Sequence, residues 1–250
     1  MKLACYLEGG VKKYGIVEDS LIFPARGNPF EGLTREGSPI PLEKAKLLAP
    51  CMPGKAICIG LNYRDHANEL NLAIPHSPVV FLKPSTSVID PGADIEYPAM
   101  SSRVDYEGEL VVVIGKKARH VKESEAADYI LGYTCGNDVT ARDLQPKEGQ
   151  WTVAKSFDTF LPFGPWIDTE VDPSTLKIRT FLNGALVQSS STSNLIFPVP
   201  FLVSYLSRIM TLEPGDIIMT GTPSGIGPMA KGDKVVSEID GIGSLSNQVG

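Results

Sequence analysis

The sequence has little of what zinc and redox centres are built from. It carries three histidines and four cysteines in 250 residues, and neither type clusters. Cys5, Cys51, Cys58 and Cys135 form no CxxC pair and no disulfide framework, so a reduced, intracellular setting is expected. No two histidines have zinc-site spacing. Runs of one charge sign are missing too. The 23 Lys plus Arg against 29 Asp plus Glu give a net charge of −6, the wrong balance for tracking phosphates, so nucleic acid is not an expected partner. Long hydrophobic runs are absent: the apolar patch in MKLACYLEGG is too short for a signal peptide. The most apolar helical candidate, residues 201–212, is broken by Ser204, Ser207 and Arg208. No membrane association and a cytoplasmic location are therefore expected. Phosphate loops are missing as well. TGTPSGIGPMAKGD lacks both GK[ST] and the strand-to-helix setting of GxGxxG. It is either a plain turn or a loop offering hydroxyls and N–H groups, Thr220 or Thr222 among them, to a carboxylate.

What is present is a well-cored globular chain, 42% hydrophobic and 21% charged, a balance that argues against disorder. Twenty-four glycines and 20 prolines imply many turns, hence a β-rich protein. Residues 1–50 read as short strands and turns and are expected to form a small N-terminal β-rich domain. A Pro- and Gly-bearing stretch follows, and residues 51–250 are expected to form the main domain. There KAICIGLNY, VVFLKP, ELVVVIG, YTCGNDVT, LKIRTFLNG with ALVQS, DIIMTG and DKVVSEID read as strands, with Asn183-Gly184 as a hairpin turn. NYRDHANELN, ESEAADYILG and VPFLVSYLSRIMTL read as helices. The expected class is mainly β with a few helices (α+β).

The stretch VDYEGELVVVIG poses a chemical problem. Leu110 to Ile114 read as a buried strand, yet on this reading the strand begins with Glu107 and Glu109. Side chains two apart in a strand point the same way, which sets two carboxylates side by side at the edge of an apolar core. An isolated ExE pair is more often simply solvated. Here Asp138, in CGNDVTARD after another apolar strand, is placed to converge on the pair. At about 4 Å separation and an effective dielectric of 20, each pair would repel by on the order of 4 kcal/mol. The trio therefore needs a cation or a proton. All-oxygen ligation suits Mg²⁺, Mn²⁺ or Ca²⁺ better than zinc. Three carboxylates around a divalent ion leave a net negative site, which Arg142 and Lys155 are candidates to correct for an anionic substrate.

In GLNYRDHANEL, His66 and Glu69 share one helical face. The plain reading is a surface pair. The functional reading is an imidazole oriented by a carboxylate as a general base, on a helix short enough to order as a lid.

GLNYRDHANE, PVVFLKPSTSVIDPG, VDYEGELVVVIGK, GYTCGNDVTARDLQ, AKSFDTFLPFGPW, LEPGDIIMTGTPSGIG and DGIGSLSNQV, in this order and spacing, resemble the fumarylacetoacetate hydrolase family over about residues 51–250. The resemblance implies a mixed β-roll catalytic domain and a homodimer. It also implies Mg²⁺ or Mn²⁺ held by Glu107, Glu109 and Asp138, and a small-molecule 2-oxo acid substrate. By the same resemblance His66 and Glu69 form a lid dyad, Lys155 lies beside the metal, and Arg142, Gln145 and Thr222 contact substrate. Val153, Ser246 and Gln248 depart from the family pattern at positions that touch specificity or packing. The activity expected is C–C hydrolysis of an acylpyruvate such as fumarylpyruvate through a pyruvate enolate. The alternatives are oxaloacetate decarboxylation, a decarboxylase/isomerase of the homoprotocatechuate type, and a non-catalytic oxo-acid binder. Motifs alone do not separate these.

Overall fold

The computed structural model describes residues 1–147 and 149–250. A thirteen-stranded sheet forms its backbone. From the N-terminal side it passes through Leu21–Asn28, Val11–Glu18 and Lys2–Glu8. It continues through Leu161–Asp168, Ile130–Asn137, Gly108–Ile114 and Ile217–Met219, and ends at Ala56–Gly60 and Val79–Lys83. The first strand pairs with Leu161–Asp168, so the N-terminal strands extend the main sheet. A five-stranded sheet contains Lys177–Leu182, Ala185–Ser191, Lys234–Ile239 and Gly243–Val249. A small third sheet joins Val104–Tyr106, Thr140–Ala141 and Gly227–Met229.

The apolar run Leu110–Ile114 lacks alternation because both of its faces are covered. Leu110, Val112 and Ile114 pack against Leu202, Val203 and Leu206 of helix α3 (Val199–Ile209) and against Ile178, Ile239 and Leu245 of the second sheet. Val111 and Val113 face Cys58, Phe81, Phe163 and Met219 on the other side. Each such side chain contributes about 1.5–3 kcal/mol by leaving water. This doubly buried strand is the rigid base on which the acidic residues stand.

The hairpin turn forms as its sequence predicts, with Asn183 and Gly184 both left-handed at φ 51° and 82°. The segment ESEAADYILG does not become the expected helix throughout. Glu123–Tyr129 makes a 3₁₀ helix and Ile130–Asn137 a strand. Its Ile-Leu pair starts the strand that ladders onto Gly108–Ile114, and that pairing outweighs local helix propensity. Two short helices complete the frame of the site, α1 (Arg64–Glu69) and α2 (Thr152–Lys155).

Candidate active site

Glu107 does not sit in the strand that carries Glu109. It occupies the break between Val104–Tyr106, in the small sheet, and Gly108–Ile114, in the main sheet. The chain changes sheets there, so its backbone groups take other partners. The Glu107 N–H donates to the Asn137 side-chain carbonyl (2.8 Å) and the Gly108 N–H to that of Gln188 (3.0 Å). The Glu107 carbonyl accepts from the Asp138 N–H (2.8 Å). This last bond ties the third acidic residue to the first. Oxygens of Glu107, Glu109 and Asp138 lie within 4.8 Å of one another, and all three residues are buried.

Cations surround the trio unevenly. The Lys155 ammonium donates to Glu107 Oε2 and Asp138 Oδ2, both at 2.7 Å. Arg142 donates to Glu107 Oε1, to Asp105 (2.9 Å) and to Gln145. Burial alone would raise the Glu107 pKa, but Lys155 and Arg142 together hold it at about 2. Burial lowers that of Lys155, yet Asp138 and Glu107 outweigh it and keep the ammonium charged. Among the described residues, Glu109 receives only the Gly221 N–H (2.8 Å). Burial, with Asp138 and Glu107 adding to it, pushes its carboxyl well above the ordinary 4.5. The trio thus has one member that the protein's own cations do not bond, which is the electrostatic setting a divalent ion relieves. With an all-carboxylate donor set on the cavity wall, these residues fit a hard ion. The donors alone do not choose among Mg²⁺, Mn²⁺ and Ca²⁺.

The cavity measures about 620 Å³. Its polar wall includes the three carboxylates with His66, Arg142, Gln145, Lys155 and Thr222; Leu61, Leu70, Leu72, Phe81, Trp151 and Ile226 supply apolar surface. Of the residues expected to hold metal, act as a dyad or contact substrate, all line it except Glu69, which stands behind His66; Thr220 lies off the cavity, its hydroxyl donating to the Leu110 carbonyl (2.9 Å). His66 Nδ1 and Glu69 Oε2 are 3.1 Å apart, and both Glu69 oxygens accept from the Gly225 N–H (3.0 and 3.2 Å). Asp65 holds the other end of α1. One oxygen accepts the His66 N–H (2.7 Å); the other accepts from the Ser190 hydroxyl and the Asn194 amide (3.4 Å). The Thr222 hydroxyl donates to the Gly108 carbonyl (3.0 Å), so its hydrogen is committed to the protein.

Sequence reasoning missed Lys83. Its ammonium donates to the carbonyls of Val139 (2.9 Å), Lys155 (2.6 Å) and Phe160 (2.8 Å), and it lies 2.7 Å from Asp138 Oδ1. With its protons directed at carbonyls, it meets Oδ1 chiefly as a charge, and among the described residues that oxygen accepts no well-aligned hydrogen bond. Burial lowers the Lys83 pKa while Asp138 opposes the shift. The available signal was a lysine inside the apolar strand VVFLKP. Asp105, fully buried behind Arg142, and Trp151 were also missed. A Cβ on Gly60 would lie 2.3 Å from the Trp151 ring, so glycine there leaves room for the cavity wall.

Residues 55–250 match the family model described as fumarylacetoacetate (FAA) hydrolase C-terminal, and residues 1–50 match one described as Rv2993c-like, N-terminal. The chain is 44% identical over 222 residues to rat oxaloacetate tautomerase Fahd2a, mitochondrial, covering 84% of this chain and 71% of that protein. The structure of 2-hydroxyhepta-2,4-diene-1,7-dioate isomerase from Mycobacterium marinum superposes with a TM-score of 0.92 at 42% identity, over 100% and 98% of the two chains. Maleylpyruvate hydrolase from Sphingobium gives 0.83 at 31% identity, over 100% and 99%.

Proposed function

Because the chain belongs to the fumarylacetoacetate hydrolase family, we propose that it is a metal-dependent enzyme that takes a dianionic 2-oxo acid through an enolate, with C–C hydrolysis of an acylpyruvate such as fumarylpyruvate, which releases pyruvate enolate, as its reaction. The observation that carries this reading is the charge balance of the cluster. Glu107, Glu109 and Asp138 are matched in number by Lys83, Lys155 and Arg142, and the buried Asp105 that Arg142 also bonds is matched by Arg103. A divalent ion added to such a cluster leaves an excess of two positive charges, which suits a substrate with two carboxylates.

Mg²⁺ or Mn²⁺, bound by Glu107, Glu109 and Asp138, would supply Lewis-acid stabilisation of the enolate. The side chains supply the rest. Lys155 and Arg142 face the cavity with charge to set against the substrate's oxyanions. His66, oriented by Glu69, takes a proton from water. The hydroxide adds to the distal acyl carbonyl, and the bond from that carbon to the methylene carbon breaks. The electron pair stays on the methylene side as the enolate. His66 returns its proton to that carbon, giving pyruvate and the acyl acid. The apolar wall excludes competing water.

A second reading has its own support. The rat relative is named an oxaloacetate tautomerase and the M. marinum neighbour an isomerase. In that chemistry His66 moves a proton between the enol oxygen and the adjacent carbon, and no water attacks. The two readings part on a panel of acylpyruvates, oxaloacetate and unsaturated oxo-dioates assayed with Mg²⁺, with products identified by mass spectrometry and enol decay followed by absorbance. Hydrolysis predicts acid products and pyruvate, with His66→Ala losing about 10²–10⁴-fold in rate. Enol decay without cleavage would replace it by the second reading. Turnover of no panel member would remove both.

A further inference from the structure

Gln188 lies in the strand Ala185–Ser191, far in sequence from every acidic residue of the cluster, and is 1% exposed. Its carboxamide is saturated. Oε1 accepts the Gly108 N–H (3.0 Å), and Nε2 donates to the Thr222 hydroxyl and to the Pro223 carbonyl, both at 2.9 Å. The Thr222 hydroxyl in turn donates to the Gly108 carbonyl (3.0 Å). One side chain and one hydroxyl therefore close a ring on both polar groups of Gly108, the residue between Glu107 and Glu109. That ring occupies the place where the chain changes sheets and its backbone needs other partners. It cannot relax toward a larger residue, since a Cβ on Gly108 would meet Thr180 Oγ1 at 2.2 Å.

The same strand also supports the α1 side of the cavity. Gly225, whose N–H holds Glu69, packs so closely on Val187 that a Cβ there would lie 2.2 Å from the Val187 carbonyl oxygen. Ser190, two residues beyond Gln188, holds Asp65 of α1.

We propose that Gln188 is a positioning residue: its carboxamide, clamped between Gly108 and Thr222, fixes the spacing of the Glu107 and Glu109 carboxylates and couples it to the wall of the cavity. The inference rests on the reading that Glu107, Glu109 and Asp138 hold a divalent ion. A side chain that merely fills space and satisfies backbone would affect stability alone. One that positions ligands acts on metal affinity, and partners that orient metal ligands typically contribute about 10–100-fold.

The test is Mn²⁺ titration by calorimetry on chelator-stripped protein, with a urea midpoint measured for each variant. Gln188→Met keeps length and removes every hydrogen bond; it should weaken Mn²⁺ binding about 10–100-fold. Thr222→Val opens the ring from the cavity side and should weaken it too, whereas Thr222→Ser keeps the hydroxyl and should bind as wild type does. In the double variant the losses should not add, because one ring is opened twice. Wild-type affinity in Gln188→Met, with or without a lowered urea midpoint, would overturn the inference. If Gln188→Met does not fold, wild-type affinity in Thr222→Val overturns it instead. A wild-type protein that takes up no Mn²⁺ would overturn the metal reading, and this inference with it.

Discussion

The carboxylate cluster and the His66–Glu69 pair face one cavity but are built on different principles. The cluster stands on a strand buried on both faces; Lys83 touches Asp138 from behind, and Lys155 and Arg142 bond its members from the cavity wall. The dyad stands on a six-residue helix with no side-chain N-cap, too short to persist alone. It is held by single hydrogen bonds from Ser190, Asn194 and Gly225. The cluster's charges are set in the core, whereas the dyad sits on a short segment held by few bonds.

The largest expected effect breaks the cluster side. Lys83→Met leaves Asp138 without the ammonium at 2.7 Å and orphans the carbonyls of Val139, Lys155 and Phe160. Removing one partner of a buried charge set costs about 3–5 kcal/mol. Urea unfolding should show a loss of that size, and Mn²⁺ affinity should fall with it as Asp138 loses its place. A stability change within the scatter of surface substitutions would mean that the cluster is not braced from behind.

Much of this division is legible in the sequence. The strands, the ExE pair, Asp138 and the His66–Glu69 spacing follow from periodicity and residue type. Three features do not. Glu107 lies at a junction between sheets rather than in a strand, and only the registers of the two sheets it joins reveal it. The segment after Glu123 turns to strand because a partner strand is waiting, a long-range term that no local propensity contains. Lys83 reads as an ordinary lysine closing an apolar strand. Its role depends on carbonyls at positions 139, 155 and 160 converging on one point, which is set by the fold.

A subtler effect sharpens the comparison through pH. Burial, with Asp138 and Glu107, raises the Glu109 carboxyl well above its ordinary 4.5. Such a group contributes its stability while protonated, and the contribution is lost as pH rises through its folded value. In metal-stripped protein, Glu109→Gln mimics the neutral form and cannot ionise. Its urea stability should therefore separate upward from wild type as pH rises above 4.5, by up to about 1.4 kcal/mol per pH unit. Mn²⁺ should erase the advantage, because it stabilises the wild-type carboxylate and finds a poorer ligand in glutamine. Parallel stability curves from acid to alkaline pH would show that Glu109 feels neither its burial nor its neighbours.

The smallest effect falls on helix α1. Asp65→Ala removes the acceptor for the His66 N–H, the Ser190 hydroxyl and the Asn194 amide. It leaves the core untouched. Global stability should fall by only about 1 kcal/mol, because little besides α1 depends on these bonds. Local opening should change far more: amide exchange across residues 64–69 should accelerate while that of Gly108–Ile114 stays slow. Mn²⁺ affinity should match wild type, since Asp65 bonds none of the three acidic residues, and turnover should fall because His66 is less often in place. If exchange accelerates equally in the strand and the helix, or if Mn²⁺ affinity falls in step with turnover, helix α1 and the cluster are one cooperative unit. The separation between a fixed charge set and a detachable base would then be wrong.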